Sequence, residues 1–280
     1  MPIRLDITDI HRADLVLDRP AKRNALDRAM LEELRSRVRE IATRADVRVV
    51  VVSGAGGAFC AGADIGDWAE PPPGTAEELS RLGADTFEEL ASLPQPTVAV
   101  LEGPVLGGGL ELALACDLRL AAETARLGLP EVRLGNLPSW GGLPRLVELV
   151  GPGVARELLL GGAPVAGTRA AALGLVSRAV PAAGLPAEVA SAVDDLLAGS
   201  AEIQALTKRV LSGYHRALPT EAALAAHTAT LPASRERKRR FLAEGAARAA
   251  ARSRPANASA LPFAERASDV SPEPSSDSAQ

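Results

Sequence analysis

Hydrophobic and polar residues alternate over residues 3–9 and 13–17, which is the pattern of two strands that are each buried on one face. We predict that these strands pair as a hairpin. Over residues 27–43 the apolar positions recur at helical spacing instead, and Asp27 is the predicted N-cap of this helix. Residues 47–54, VRVVVVSG, form a continuous β-branched run, which is typical of a strand buried on both faces in a parallel sheet.

The same alternation of strands and helices continues to about residue 122. Residues 76–92 have helical spacing, residues 96–103 form a second buried run, GGGLELALAC opens a short helix, and DLRLAAE is a third strand. Parallel strands joined by helices require right-handed crossovers. The sequence therefore predicts an α/β fold.

The C-terminal half has a different pattern. Helical spacing predominates after about residue 143, with predicted helices at 143–150, 153–160, 167–173, 187–198 and 201–216. Further Ala- and Arg-rich helices are predicted within 219–250, and from Ser253 the chain is too poor in apolar residues to fold. We predict a core over 1–195, a helical oligomerisation region over 196–252 and a disordered tail over 253–280.

Composition excludes several classes of function. The 280 residues are 47% apolar, the net charge is −4, and there are only seven aromatic residues, so neither a basic patch nor stacking platforms point to nucleic acid. No apolar run approaches the length of a membrane span, and the first residues lack the apolar segment of a secretory signal. We expect a cytoplasmic protein with no membrane partner, in which Cys60 and Cys116 are small core residues rather than a disulfide.

Common catalytic motifs are missing from the sequence. It has no GxSxG segment and no P-loop lysine, and a dinucleotide-binding pattern that starts at Gly54 and Gly56 has Phe59 at its third glycine position. The three histidines lie far from the glycine-rich loops and from one another. We therefore predict neither a metal site nor a Ser-His-Asp triad.

Two glycine-rich loops remain, and each follows a buried strand. They are SGAGGAFCAGADI at 53–65 and EGPVLGGGLELALACD at 102–117. Glycine lets backbone approach a ligand closely, and the start of a helix presents free N–H groups. Two such loops side by side could hold one oxygen between two N–H donors, as in an oxyanion hole. The alternative is that both are only tight turns.

Two carboxylates favour the catalytic interpretation. Glu111 lies in the first turn of the helix that follows the second loop, and its neighbours are glycine, leucine and alanine. Glu131 has a similar apolar setting in LGLPEVRLG. Two carboxylates of low polarity beside paired N–H donors would form an acid–base set. The alternatives are a residue favoured by the helix dipole and an acid on a surface loop.

Four segments together resemble a known family, the crotonase superfamily of enoyl-CoA hydratases and isomerases. They are RPAKRNAL (19–26), GAFCAGADI (57–65), LGGGLELALACD (106–117) and PEVRLGNLPSWGG (130–142), in the order and spacing of the family. The resemblance extends from the N-terminus to about residue 215 and more loosely to about 245. It implies a spiral of ββα units, as in the ClpP/crotonase fold, followed by a helical trimerisation region.

The resemblance also implies roles for individual residues. The oxyanion-hole amides fall on Ala63 and Gly108, and the two catalytic glutamates fall on Glu111 and Glu131. Coenzyme A is implied as part of the acyl thioester substrate, with no permanently bound cofactor. The implied substrate and coenzyme A contacts are Ala21, Lys22, Arg23, Ala61, Asp64, Ile65, Gly107, Pro130, Pro138, Ser139 and Trp140.

Three functions stay open from the sequence. The first is an enoyl-CoA hydratase, or the reverse dehydratase, acting as a homotrimer or a dimer of trimers. The second is an enoyl-CoA isomerase, which needs only one carboxylate. The third is a binding protein that uses the fold without chemistry. The chain departs from many hydratases at Ser139-Trp140, which changes the bulk near the acyl pocket, and in its C-terminal helices.

Overall fold

A computed structural model describes residues 2–64 and 75–212, and beyond these only the helical positions Glu236 and Ala243. The chain divides into two compact units, Met1–Leu231 and Pro232–Gln280. Within the first unit the described strands are β1 Ile3–Ile7, β2 Arg12–Leu17, β3 Val49–Gly54, β4 Thr97–Leu101, β5 Pro104–Leu106, β6 Leu118–Ala122, β7 Arg126–Gly128, β8 Val165–Ala166 and β9 Arg178–Val180. The described α-helices are α1 Arg28–Ala42, α2 Thr75–Ala91, α3 Gly108–Leu114, α4 Gly142–Gly161, α5 Gly167–Ala172, α6 Leu185–Ala198 and α7 Ala201–Ser212.

Six of the strands form the main sheet, in the order β1-β2-β3-β4-β6-β9. Strands β1 and β2 are antiparallel, which confirms the predicted hairpin, and the pairs from β2 onward are parallel. A second sheet has the order β5-β7-β8. The parallel order confirms the α/β fold and brings the carboxyl ends of β3 and β4, where the two glycine-rich loops begin, to the same edge.

The core follows from the sequence pattern. The four valines of β3, Val49–Val52, are each at most 3% exposed, as expected of a strand covered on both faces. Helix α1 buries five side chains at helical spacing, and the Asp27 carboxylate accepts a hydrogen bond from the Met30 N–H at 2.8 Å. The predicted N-cap is therefore confirmed. Both cysteines are buried and free, and burial raises the pKa of each thiol to about 12.

Several details differ from the sequence prediction. Residues 104–106 form strand β5, whereas we expected a loop, because their backbone pairs with β7. The predicted helices 143–150 and 153–160 are the two halves of α4, which breaks at Gly151 (φ 74°, ψ 163°) just before Pro152. The prediction of helices over 219–250 and of a disordered tail lies almost wholly outside the described residues.

Helix α7 belongs to the predicted helical region over 196–252, and its last turns contact the sheet. Lys208 Nζ donates to the Gln95 carbonyl at 2.8 Å and forms an ion pair with Asp117 at 2.7 Å. Asp117 also accepts from the Thr97 N–H at 2.7 Å. Lys208 therefore links α7 to the segments that lead into β4 and β6. No helix in the described part of the chain is long and apolar enough to cross a membrane.

Candidate active site

The two glycine-rich loops run side by side. Cys60 and Val105 form a parallel bridge, with the Cys60 N–H donating to the Pro104 carbonyl at 3.1 Å and the Leu106 N–H donating to the Cys60 carbonyl at 3.0 Å. Gly62 has φ +103°, and a Cβ there would lie 2.8 Å from the Leu106 carbonyl oxygen. Glycine at this position therefore lets the backbone of the first loop pass directly against the second.

This contact places the residue before Ala63 next to the backbone nitrogen of Gly108. A Cβ on Gly62 would lie 3.5 Å from the Gly108 nitrogen, so the two loops meet at that point. Gly108 is the first residue of α3, where an N–H has no partner within the helix. Among the described residues no backbone oxygen accepts from the N–H of Ala63 or of Gly108. Ala63 and Gly108, on adjacent loops, both line the same cavity.

Glu111 lies one turn into α3 and is only 2% exposed. Its Oε1 accepts from the N–H of Trp140 at 2.8 Å and from the N–H of Gly142 at 2.9 Å. Burial raises the pKa of this carboxyl, while these N–H groups and the nearby charge of Arg145 act in the opposite direction. The Glu111 side chain is therefore buried, as its apolar neighbours in the sequence indicated. The cost of this burial is offset by hydrogen bonds that the sequence did not reveal.

Glu131 lies at the start of a 3-10 helix, Pro130–Leu134. Its Oε1 would be 2.9 Å from a Cβ on Gly107, so the carboxylate lies against the loop that presents Gly108. Its Oε2 is buried and has no hydrogen-bond partner in the described part of the chain. Burial, with a further contribution from the charge of Glu111, raises the pKa of Glu131 to about 7. This carboxyl can therefore exchange a proton near neutral pH.

Glu111 and Glu131 line one cavity of about 760 Å³ together with Ala63 and Gly108. The predicted site residues on its wall are Ala61, Ala63, Gly107, Gly108, Glu111, Pro130, Glu131, Pro138, Ser139 and Trp140. No cluster of three or more His, Cys, Asp or Glu side chains able to hold a metal ion occurs among the described residues.

The predicted coenzyme A contacts at Ala21, Lys22 and Arg23 lie on a neighbouring turn rather than on the cavity wall. This turn is joined to the first loop, because the Arg23 carbonyl accepts from the Ala61 N–H at 2.9 Å. Asp64 forms ion pairs with Arg19 at 3.0 Å and with Lys22 at 3.9 Å. Ile65, the last of the predicted contacts, lies outside the described residues.

Trp140 closes the inner side of the cavity. Its indole is held between two glycines, since a Cβ on Gly83 or on Gly108 would lie 2.4 Å or 2.2 Å from ring atoms. Phe87 packs edge-on against it, with ring centroids 5.5 Å apart and an interplanar angle of 87°. The indole is 2% exposed, so the extra bulk that the sequence indicated lies mainly in the wall between α2 and α3.

Asn24, which lies within the segment RPAKRNAL, supports the first loop. It is fully buried with φ +58°, a conformation that asparagine tolerates better than most residues. Its side chain accepts from the Arg19 N–H at 2.8 Å and donates to the carbonyls of Ala55 and Ala58 at 3.0 and 2.7 Å. The signal available in the sequence was an asparagine within a turn, which does not reveal these distant partners.

Comparison with known proteins assigns the chain to a family. The enoyl-CoA hydratase/isomerase family model matches residues 13–250. The chain belongs to the enoyl-CoA hydratase/isomerase family. This confirms the resemblance to the crotonase superfamily, whose members act on coenzyme A thioesters.

Individual members of the enoyl-CoA hydratase/isomerase family show how far the similarity extends. The crystal structure of enoyl-CoA hydratase from Bacillus anthracis superposes with a TM-score of 0.83 at 33% identity, covering 87% of this chain and 97% of that one. Enoyl-CoA isomerase/hydratase fer4 of Mycosarcoma maydis is 39% identical over 176 residues, 60% of this chain. Human enoyl-CoA hydratase domain-containing protein 2, mitochondrial, is 40% identical over 168 residues, also 60% of this chain. The matched parts span 64% and 58% of the lengths of these two relatives.

Proposed function

We propose that the protein hydrates 2-enoyl-CoA thioesters by syn addition of water, or runs the reverse dehydration. The observation that carries this proposal is the presence of two carboxyls with raised pKa values, Glu111 and Glu131, in the same cavity as the N–H groups of Ala63 and Gly108. Hydration needs a group that activates water, a group that supplies a proton and a site for negative charge. The cavity offers all three.

The N–H groups would hold the thioester oxygen. As water adds to C3, the electrons of the C2=C3 bond move toward the carbonyl and the oxygen becomes enolate-like. Hydrogen bonds from Ala63 and Gly108 stabilise this charge, and one such donor typically contributes about 10²- to 10³-fold in rate. Because both donors are backbone groups on loops that are hydrogen-bonded to each other, they are already positioned before the substrate binds.

The two carboxyls divide the proton transfers. Glu111, fixed by the N–H groups of Trp140 and Gly142, orients and activates the water that attacks C3. Glu131 has a pKa of about 7 and delivers a proton to C2 from its protonated form. The added water supplies the hydroxyl at C3 and its remaining proton passes to Glu111, so the pair of carboxyls holds one proton before and after the addition. Dehydration reverses each step.

We infer the position of the rest of the substrate from the resemblance to the family. The coenzyme A nucleotide would pass near Ala21, Lys22 and Arg23, which are exposed beside the first loop. Its pantetheine arm would pass near Ala61, Asp64 and Ile65. Assembly as a homotrimer or a dimer of trimers, through the predicted helical region over 196–252, is part of the same proposal.

Isomerisation is the second candidate, and one observation favours it. Oxygen Oε1 of Glu111 is committed to two backbone hydrogen bonds, which is also how a purely structural carboxylate would be held. Glu131 alone could then remove a proton from C2 of a 3-enoyl thioester and return it at C4. That reaction would keep the oxyanion donors and leave Glu111 without a chemical role.

The experiment that separates the candidates uses two substrates. Loss of the ultraviolet absorbance of the conjugated thioester of a 2-enoyl-CoA reports hydration, and gain of the same absorbance from a 3-enoyl-CoA reports isomerisation. We expect the first reaction to be the faster. Isomerisation without hydration would favour the second candidate, and the lack of either reaction would favour a binding protein.

A further inference from the structure

Arg145 has an unexpected position. It lies in the first turn of α4, where the helix dipole favours acidic side chains, and its side chain is only 18% exposed. In the sequence, Arg145 is one of several cations on a helix with an apolar face. In the structure its guanidinium turns back toward the start of its own helix, next to the residues that hold Glu111.

The contacts of Arg145 join two helices to the Glu111 site. Its Nη1 lies 3.4 Å from the carbonyl oxygens of both Trp140 and Gly141, and its Nη2 donates to Glu88 Oε2 on α2 at 2.5 Å. A Cβ on Gly141, which has φ +89°, would lie 2.4 Å from Nη1. The guanidinium therefore covers this turn closely, and glycine at 141 leaves room for it.

One peptide group links Arg145 to Glu111. The carbonyl of the Gly141–Gly142 peptide faces the guanidinium at 3.4 Å, while its N–H donates to Glu111 Oε1 at 2.9 Å. A cation at the oxygen end and an anion at the N–H end both orient and polarise this peptide in the same direction. A continuous chain of hydrogen bonds therefore runs from the Arg145 guanidinium through the Gly141–Gly142 peptide to the Glu111 carboxylate.

Charges around Glu111 come from two neighbouring elements of the described structure. Arg145 on α4 lowers the pKa of Glu111, opposing the effect of burial. Glu131 on the 130–134 helix interacts with it as a like charge. Glu88 on α2 contacts the Arg145 guanidinium. Of these charged side chains, Arg145 is the cation that acts on Glu111.

We propose that Arg145 is a positioning residue that fixes the Trp140–Gly142 turn against Glu111, and that Glu88 holds the guanidinium in place. The proposal adds to the reaction a pair of residues on α2 and α4 that do not touch the substrate. It rests on the proposed function in so far as Glu111 takes part in catalysis. Its effect on the Glu111 carboxyl itself does not require that function.

The first test compares kinetics of four variants. Arg145→Met removes the charge and the hydrogen-bond donors, Arg145→Lys keeps the charge, and Glu88→Gln removes the ion pair that holds the guanidinium. Arg169→Met is the matched control, because Arg169 on α5 forms an exposed ion pair with Glu157 on α4. We expect Arg145→Met to lower kcat by about 10-fold or more with KM within about 3-fold, as misplaced catalytic groups do. Arg145→Lys and Glu88→Gln should lose less, and Arg169→Met nothing.

The second test asks whether Arg145 acts through Glu111. In the Glu111→Gln background, Arg145→Met should cause at most about 2-fold further loss, because residues that act as a unit are not additive. An equal loss in both backgrounds, or unchanged kcat in Arg145→Met, would overturn the proposal. If Arg145→Met does not fold, the same comparison is made with Arg145→Lys.

A third test is independent of turnover. The ¹³C resonance of the Glu111 carboxyl, assigned by its disappearance in Glu111→Gln, is titrated in the wild type, Arg145→Met and Arg169→Met. We expect a higher midpoint in Arg145→Met alone, because a neighbouring cation has been removed. An unchanged midpoint would refute the proposal. If the enzyme neither hydrates nor isomerises enoyl-CoA but the midpoint moves, the proposed function fails and the positioning by Arg145 stands.

Discussion

The indole of Trp140 occupies the space that a β-carbon on Gly108 would need. A Cβ built on Gly108 would lie 2.2 Å from ring atom Cζ3, so glycine at this position is required by packing as well as by the turn. Gly108, which begins α3 and lines the cavity, is thereby held against a rigid wall. Phe87 keeps this wall in place from the other side. The packing between α2 and α3 therefore fixes the position of the Gly108 backbone.

Replacing Gly108 by Ala should therefore damage both stability and catalysis. We expect a loss of about 1–3 kcal/mol in the free energy of unfolding from overpacking. We also expect a fall of at least about 10²-fold in kcat, because the displaced N–H no longer meets the thioester oxygen. Thermal melting and hydration assays measure the two effects.

Gly161→Ala is the matched control for this substitution. A Cβ there would have nothing within 4 Å, and Gly161 ends the same helix that Gly142 begins. It should change the free energy of unfolding by no more than about 0.5 kcal/mol. A Gly108→Ala protein as stable and active as Gly161→Ala would show that the indole does not fix the loop.

Hydration and dehydration should both slow as pH rises through about 7. Glu131 has a pKa of about 7, and hydration uses its protonated form, so kcat for hydration should fall over this interval. Dehydration runs on the same singly protonated pair, with the proton on Glu111 and Glu131 ionised, so it should fall over the same interval as that proton is lost. The measurement is kcat and kcat/KM from pH 5.5 to 8.5 in both directions. A hydration kcat that does not fall across pH 7 would contradict the assignment of Glu131 as the group that exchanges the proton at C2.

The same carboxyl should make stability depend on pH. Burial raises its pKa from 4.5 to about 7, so between these values the unfolded chain loses the proton that the native protein keeps. The contribution of this group to stability is therefore complete below pH 4.5 and is lost as pH rises through 7. Glu131→Gln mimics the protonated form. Its Tm relative to wild type should increase from pH 4.5 to 7.5, and a constant difference would argue against a buried carboxyl.

Asn24 should prove essential to the first loop. Asn24→Ala leaves the Arg19 N–H and the carbonyls of Ala55 and Ala58 without this partner, and the buried Ala58 carbonyl costs about 1–3 kcal/mol if it stays unsatisfied. We expect a clear fall in the denaturant midpoint. Asn136→Ala is the control, since Asn136 is exposed and its side chain accepts a hydrogen bond from its neighbour, the Leu137 N–H. Equal midpoints for the two variants would contradict this role.

Local pattern was enough to predict the main sheet and the helices around it. Alternation gave β1 and β2, the valine run gave β3, and helical spacing with Asp27 gave α1. Strands such as β5 and β8 were missed because two or three residues carry no period, and they exist through their pairing with β7.

The residues of the candidate site also differ in whether the sequence could predict them. Glu111 and Glu131 could be selected because carboxylates in apolar segments are unusual, and the motifs supplied their roles by resemblance. Asn24 and Arg145 could not, because their importance lies in partners that are distant in the sequence or on the far side of a peptide group. A buried asparagine and a half-buried arginine look the same in sequence as exposed ones.

The most direct test of the account is the hydration kcat of Glu111→Gln, Glu131→Gln and the double variant. Each single substitution should lower kcat on a 2-enoyl-CoA by at least about 10²-fold while thioester binding persists, because the N–H groups of Ala63 and Gly108 remain. The double variant should be little worse than the worse single one, since both residues act on one water. Isomerisation of a 3-enoyl-CoA, measured in parallel, should depend on Glu131 alone. Hydration by Glu111→Gln at nearly the wild-type rate would contradict the two-carboxylate mechanism and leave Glu111 as a structural anchor for the Trp140–Gly142 turn.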